Sequence, residues 1–256
     1  MEIEYREEPC KGALNRVKGM GFKWSLNPYM GCVHRCTFCY VRHFERRSDR
    51  PWDDRYGASI RVKTNVAEVL RRELARASWE HEHVVVGAAT DPYQPAEGRY
   101  KLTRACLEAF RDAANPFSLI TRGPMIVRDL DMLVEAAKRA DVAITFSIPT
   151  LDEEVWKRTE PSTAHPRQRL KALKELVDAG VKASVGMAPI LPGISDRPEQ
   201  VPLYEGLYAG RAYLGADDTK PIRGEVSRLA RRYEIRDRRT LPLAPPPEPE
   251  QLSLTV

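Results

Sequence analysis

The chain has 256 residues, 42% of them hydrophobic and 30% charged, and a formal net charge of +5. This is the composition of a soluble globular protein with one large domain or two small ones. No apolar run reaches the roughly 18 residues of a membrane-crossing helix. The N-terminus, MEIEYREEPCKG, is polar and acidic rather than a secretory leader, so a cytoplasmic location is expected. Thiols stay reduced there, and clustered cysteines read as metal-binding or catalytic.

Along the chain, residues 1–20 read as an extension. SIRVK (59–63) reads as a strand. Asn65 follows as an expected N-cap, with Glu68 at N3, ahead of a helix over VAEVLRRELARA. HVVVGAA (83–89) reads as a buried strand, and residues 102–114 as an amphipathic helix with Leu102, Cys106, Leu107 and Phe110 on one face. FSLITR (117–122) is the next strand, a helix covers 127–140, and VAITFSI (142–148) is a strand. Residues 167–180 form a helix with Leu170, Leu173, Leu176 and Val177 inward and Gly180 as its stop. A final strand runs over 181–190.

Strand–helix alternation with short connections predicts an α/β fold with a parallel sheet, wound or closed as a barrel. Ligands in such folds sit at the carboxyl ends of the strands. Polar residues gather at those ends: Thr90 and Asp91, then Thr121 and Arg122, then Ser147. A parallel strand buried on both faces should read apolar to its end, so these residues predict one shared polar rim.

The densest chemistry lies in GCVHRCTFCY (31–40), which carries Cys32, Cys36 and Cys39. Thiolates suit zinc or iron–sulfur clusters. Zinc would need a fourth ligand, from His34, His43 or Cys10. A cubane cluster has four irons, each normally held by a thiolate, so three cysteines leave one iron open to a substrate or cofactor. Both readings stand on spacing alone.

C-x3-C-x2-C with Phe38 before its last cysteine resembles the signature of the radical S-adenosylmethionine (radical SAM) enzymes. SLNPYMGCVHRCTFCYVR, GAATDPYQPAE, LITRGPMIVRDLDML and APILPGISD, in that order, resemble the spore-photolyase-like branch over roughly residues 13–235. The resemblance implies an open, partial (β/α) barrel over 21–195, with a [4Fe–4S] cluster and S-adenosylmethionine as cofactors. It implies one-electron cleavage of that cofactor to methionine and a 5′-deoxyadenosyl radical, which abstracts hydrogen from a substrate. A reductant such as flavodoxin or ferredoxin is the implied partner, with nucleic acid as a candidate substrate. By residue, it implies Cys32, Cys36 and Cys39 as cluster ligands and Phe38 beside the adenine. Thr90 and Asp91 fall where a strand meets the cofactor, Arg122 near the methionine carboxylate, Ser147 near the ribose and Tyr40 along the radical path. Core packing is the competing role for Phe38 and Tyr40.

The sequence departs from that pattern twice. Spore photolyases carry a hydrogen-donating cysteine where this chain has Ala88, and Cys106 reads as a core residue. Spore-photoproduct repair is therefore not expected. After Gln200, LPGISDRPEQ runs almost directly into VPLYEGLYAGRAY, so a helix–strand unit on the order of 40 residues is missing relative to the family. The barrel is expected to lack or shorten its last strand. A helical basic segment over 196–239 follows, with Lys220, Arg223, Arg228, Arg231, Arg232, Arg236, Arg238 and Arg239 against Glu225, Glu234 and Asp237. It reads first as a solvated helix face and second as a surface for polyanions. The tail, 240–256, is proline-rich and expected to be disordered or polyproline-like.

Overall fold

The computed structural model describes residues 2–47 and 52–189, together with the helical residues Lys220, Gly224, Arg228, Arg231 and Arg232. The chain divides into two units, Met1–Ile190 and Leu191–Val256. The five described residues of the second are all exposed. The shortened segment after Gln200, the APILPGISD word beyond Pro189 and the tail lie outside the described residues.

The main sheet of the first unit has strands β2 (Leu14–Arg16), β3 (Trp24–Leu26), β6 (Val84–Val86), β7 (Phe117–Thr121), β8 (Val142–Ser147) and β9 (Ala183–Gly186), in that spatial order. From β3 to β9 every neighbouring pair is parallel, while β2 runs antiparallel on the β3 edge. This is the expected α/β sheet, open at both edges among the described residues.

SIRVK is a strand, β5 (Ser59–Lys63), but it is not part of that sheet. It pairs parallel with β1 (Glu4–Glu8) and antiparallel with β4 (Tyr29–Met30). Periodicity reports that a segment is extended and does not name its hydrogen-bonding partner. The first parallel strand is instead Trp24–Leu26, three residues that are too short to carry a period.

Helices α2 (Val66–Leu74), α4 (Leu102–Asp112), α5 (Leu130–Ala137) and α7 (Pro166–Asp178) follow successive strands. Shorter helices α1 (Val41–Arg47), α3 (Ala96–Tyr100) and α6 (Glu153–Thr159) lie between them. The expected inward face of α4 is buried, and Phe110 stacks on Phe117 at 5.0 Å. The helix expected over 127–140 splits into a 3-10 turn, Pro124–Asp129, and α5. Strands β7 and β8 alternate buried and half-buried residues, with Phe117 and Leu119, then Val142, Ile144 and Phe146, in the core. Ser118 and Thr145 occupy the other face, where His83 and Ser184 join them.

Two helix expectations are corrected. Asn65 does not cap α2 with its side chain. Its Oδ1 accepts from the Cys10 N–H at 2.7 Å and its Nδ2 donates to the Cys10 carbonyl at 3.2 Å. It ties the N-terminal segment to the domain. On α7, Val177 is exposed, and Arg169, Ala172 and Leu176 are buried. Leu170 and Leu173 pack against the core and Leu176 lies within it, as expected, while the buried Glu160 just after α6 also holds Arg169 inward.

Candidate functional site

The three cysteines occupy the loop Gly31–Tyr40, directly after β4. Cys32 and Cys36 are buried, Cys39 is half-buried, and all three thiols are free. Gly31 opens the loop at φ +84°, where a Cβ would lie 2.9 Å from the Ser59 carbonyl oxygen. No side chain fits that turn without strain.

The segment Thr90–Gln94, just beyond β6, grips this loop. Thr90 Oγ1 donates to the Gly31 carbonyl at 2.6 Å. Gln94 Nε2 donates to the same carbonyl at 3.2 Å and to Thr90 Oγ1 at 3.0 Å, while its Oε1 accepts from the Val33 N–H at 3.2 Å. Gln94 is fully buried, so these bonds have no competition from water.

Asp91 links the loop to the next strand. Its carboxylate accepts from Thr121 Oγ1 at 2.6 Å, the Arg122 N–H at 2.7 Å and the Tyr93 N–H at 2.9 Å. His34 Nδ1, between the first two cysteines, lies 3.2 Å from Asp91 Oδ2, off the line of a good hydrogen bond. Burial alone would raise the Asp91 pKa. His34, the Thr121 hydroxyl and the Arg122 N–H outweigh burial and hold it at about 2. Burial opposes charge on His34, but Cys32 and Asp91 beside it raise its pKa to about 10.

Arg122, expected as a cofactor contact, is mostly buried. Its Nε donates to Glu160 Oε1 at 2.7 Å, and its guanidinium carbon lies 5.6 Å from the Phe38 ring centre. Glu160 also receives Arg169 Nη1 at 3.0 Å, and Arg169 donates to the Ser147 carbonyl at 2.9 Å and to Thr163 Oγ1. Thr90, Asp91, Thr121 and Arg122 are therefore linked through Gln94 and Glu160, and among the described residues Ser147 joins them by its backbone carbonyl alone. Burial pushes the Cys36 thiol up to about 12, with Arg122 pulling the other way.

Tyr40 is exposed, and its hydroxyl donates to the Ala88 carbonyl at the end of the β6 turn. Across the loop, residues 52–57 form a strap. Arg42 donates to the carbonyls of Arg35, Trp52 and Asp53 and covers the Tyr56 ring at 4.6 Å. Arg35 donates to the Asp54 carbonyl. Gly57, at φ +78°, is so close that a Cβ would lie 2.4 Å from the Cys32 carbonyl oxygen. The Tyr56 hydroxyl is 3.6 Å from Cys39 Sγ.

Cys10, one candidate fourth ligand, is not in this loop's surroundings. Its backbone is clamped by Asn65, and its thiol packs against the core beside Lys63. His43 is exposed on α1, where it lines an open hollow of about 570 Å³ with Cys39, Tyr40 and Trp52. Sequence reasoning missed Gln94, Glu160, Arg169 and Tyr56. Gln94 lay inside a quoted word, TDPYQ, but the other three carried no signal of their own.

The donor set fits an iron–sulfur cluster: three free thiols on one loop, in a shell of buried backbone and a facing guanidinium. Among the described residues, no three His, Cys, Asp or Glu side chains converge as a single ion would require. A cluster instead spreads its thiolates over separate irons.

The family model of the radical SAM superfamily matches residues 26–201. The chain belongs to the radical SAM superfamily. This family uses a [4Fe–4S] cluster and S-adenosylmethionine. An uncharacterized protein of Mycobacterium tuberculosis is 37% identical over 217 residues, 83% of this chain and 64% of its own length. The chain thus spans under two thirds of that relative's length. The radical SAM Nalpha-GlyT isomerase of Pseudomonas phage M6 is 27% identical over 184 residues, 71% of this chain and 36% of the phage protein. Among solved structures, spore photoproduct lyase complexed with dinucleoside spore photoproduct aligns with a TM-score of 0.59 at 16% identity. It covers 80% of this chain and 56% of the lyase. At that identity the likeness shows the fold, an open partial radical SAM barrel.

Proposed function

We propose that this chain is a radical SAM enzyme in which Cys32, Cys36 and Cys39 hold a [4Fe–4S] cluster with one iron open to S-adenosylmethionine. The observation that carries this reading is the grip of Thr90, Asp91 and Gln94 on a loop that carries three free thiols. When bound, the pair of cofactors supplies a carbon radical able to take hydrogen from an unreactive C–H bond. The chain's own residues hold and shield. Thr90 and Gln94 fix the backbone at Gly31 and Val33, which sets the thiol positions before any iron arrives. Asp91 is read as a positioning residue, because it accepts from Thr121 and Arg122 at the end of β7 and from Tyr93 in its own turn. Arg122 brings a buried positive charge to Cys36 and Phe38, suited to the cofactor's carboxylate. Phe38 borders the adenine, Ser147 serves the ribose, and Tyr40 lines the substrate path where its hydroxyl meets Ala88. Because Ala88 has no S–H, hydrogen return by a thiol at that position is not part of the reading.

Nucleic acid is the candidate substrate class. Support comes from the exposed helical cations Lys220, Arg228, Arg231 and Arg232 and from the dinucleoside photoproduct held by the spore photoproduct lyase of similar fold. A flavodoxin or ferredoxin is the expected electron source.

The test is iron and sulfide analysis of anaerobically purified protein, followed by incubation with S-adenosylmethionine and dithionite. A brown protein with about four irons that yields 5′-deoxyadenosine supports the reading. Stoichiometric zinc without chromophore, or a full cluster that yields no deoxyadenosine, would overturn it. For nucleic acid, single-strand binding should weaken steeply with salt and on neutralising Arg231 and Arg232. Salt-independent binding would remove that part of the reading.

A further inference from the structure

We propose that Tyr56 donates a hydrogen bond to the Cys39 thiolate and sets the reduction potential of the cluster. The inference rests on the cluster assignment above. It is carried by the residues 52–57 strap, which none of the sequence motifs includes.

Tyr56 is almost fully buried, so its hydroxyl needs a partner within the protein. Among the described residues it meets Cys39 Sγ at 3.6 Å, a normal separation for a hydroxyl on sulfur. As a bare thiol, Cys39 could act as donor or acceptor. As a cluster ligand it is a thiolate and only accepts, which leaves the tyrosine as donor. The ring has little freedom to turn away. Arg42 lies over one face at 4.6 Å, and Gly57 presses the backbone of the same turn against the Cys32 carbonyl. Arg42 also donates to carbonyls on both the loop and the strap, so the two segments keep their spacing.

A hydrogen bond to a ligating sulfur draws electron density away from the iron and favours the reduced cluster. Cys39 is the most solvent-accessible of the three cysteines and borders the open hollow. A protein donor there supplies a fixed polarity where solvent would otherwise vary. Tyr56 is a positioning and tuning residue rather than a catalytic one, since it touches a ligand and not the reacting atoms.

The experiment is an anaerobic redox titration of the full-length, cluster-loaded protein, read by electron paramagnetic resonance of the reduced cluster. Tyr56→Phe removes only the hydroxyl. It should lower the midpoint so that the reduced-to-oxidised ratio at a fixed potential falls about tenfold, equivalent to about 59 mV for one electron. Site-specific replacement of Tyr56 by 3-fluorotyrosine keeps the shape and strengthens the donor, and should move the midpoint the opposite way. Opposite shifts support the proposal. Wild-type midpoints in both proteins would overturn it, and if Tyr56→Phe fails to hold iron the fluorotyrosine protein alone decides. Wild-type protein that never assembles a cluster would instead sink the cluster assignment, which separates the two failures.

Discussion

Gln94→Leu should loosen the cysteine loop without touching a thiol. Leucine has nearly the volume of glutamine, so the fully buried site is refilled with little cavity. What is lost is polar pairing. The Val33 N–H loses its acceptor at 3.2 Å, and Thr90 Oγ1 loses a donor at 3.0 Å. The Gly31 carbonyl keeps Thr90 as a donor. An orphaned buried N–H costs about 1–3 kcal/mol, and the lost bond to Thr90 adds about 1 kcal/mol, so the total should be roughly 2–4 kcal/mol. In a domain of this size that corresponds to about 4–16 °C in Tm. Thermal unfolding of the iron-free protein measures this apart from any cluster. Iron retention during gel filtration, with wild type alongside, then reads the loop. An iron-free Tm within about 1 °C of wild type, below the smallest expected shift, would refute the claim that Gln94 organises the loop.

Glu160→Gln leaves Arg122 and Arg169 buried without their shared anion. Breaking one partner of a buried pair costs about 3–5 kcal/mol, which urea unfolding should register. Gly57→Ala forces a Cβ into the Cys32 carbonyl at positive φ, so iron content after reconstitution should fall well below wild type. Asp91 gives a pH signature. Its pKa is lowered from an ordinary value near 3.8 to about 2, so its stabilising contribution is fully present above the unfolded value. The contribution is lost as pH falls through the folded one. That lowering corresponds to about 2 kcal/mol. The stability gap between wild type and Asp91→Asn should stay flat between about pH 5 and 6, narrow as pH approaches 2, and narrow again at alkaline pH as His34 loses its proton. A gap constant down to pH 2 would count against the buried carboxylate.

The parallel sheet and its helices were legible because α4, α5 and α7 are long enough to show a period. Strand β3 was not, since three residues cannot show one, and β5 misled because extended backbone looks alike in either sheet. In the site, the strand-end residues Thr90, Asp91, Thr121 and Arg122 do meet in one network, but their roles were opaque. Thr90 and Asp91 are polar residues at strand ends whether they face a ligand or a neighbouring loop. The structure adds their protein partners: Thr90 bonds the Gly31 carbonyl of the loop, and Asp91 bonds Thr121, Arg122 and Tyr93. Glu160 and Arg169 were hidden for a similar reason. Each is an ordinary charge on a helix until the other is placed against it. The Asn65 cap failed because a nearer partner, the Cys10 backbone, claims the same side chain.

The bond between Val33 and Gln94 spans 61 positions, and that between Thr37 and Thr159 spans 122. The thiols therefore leave the ribosome long before the side chains that shape their loop. A nascent chain ending near residue 90 exposes three unrestrained cysteines, open to oxidation or to the wrong metal. Faithful iron loading belongs after synthesis of α6, and a chain stalled before that helix offers thiols without a cradle.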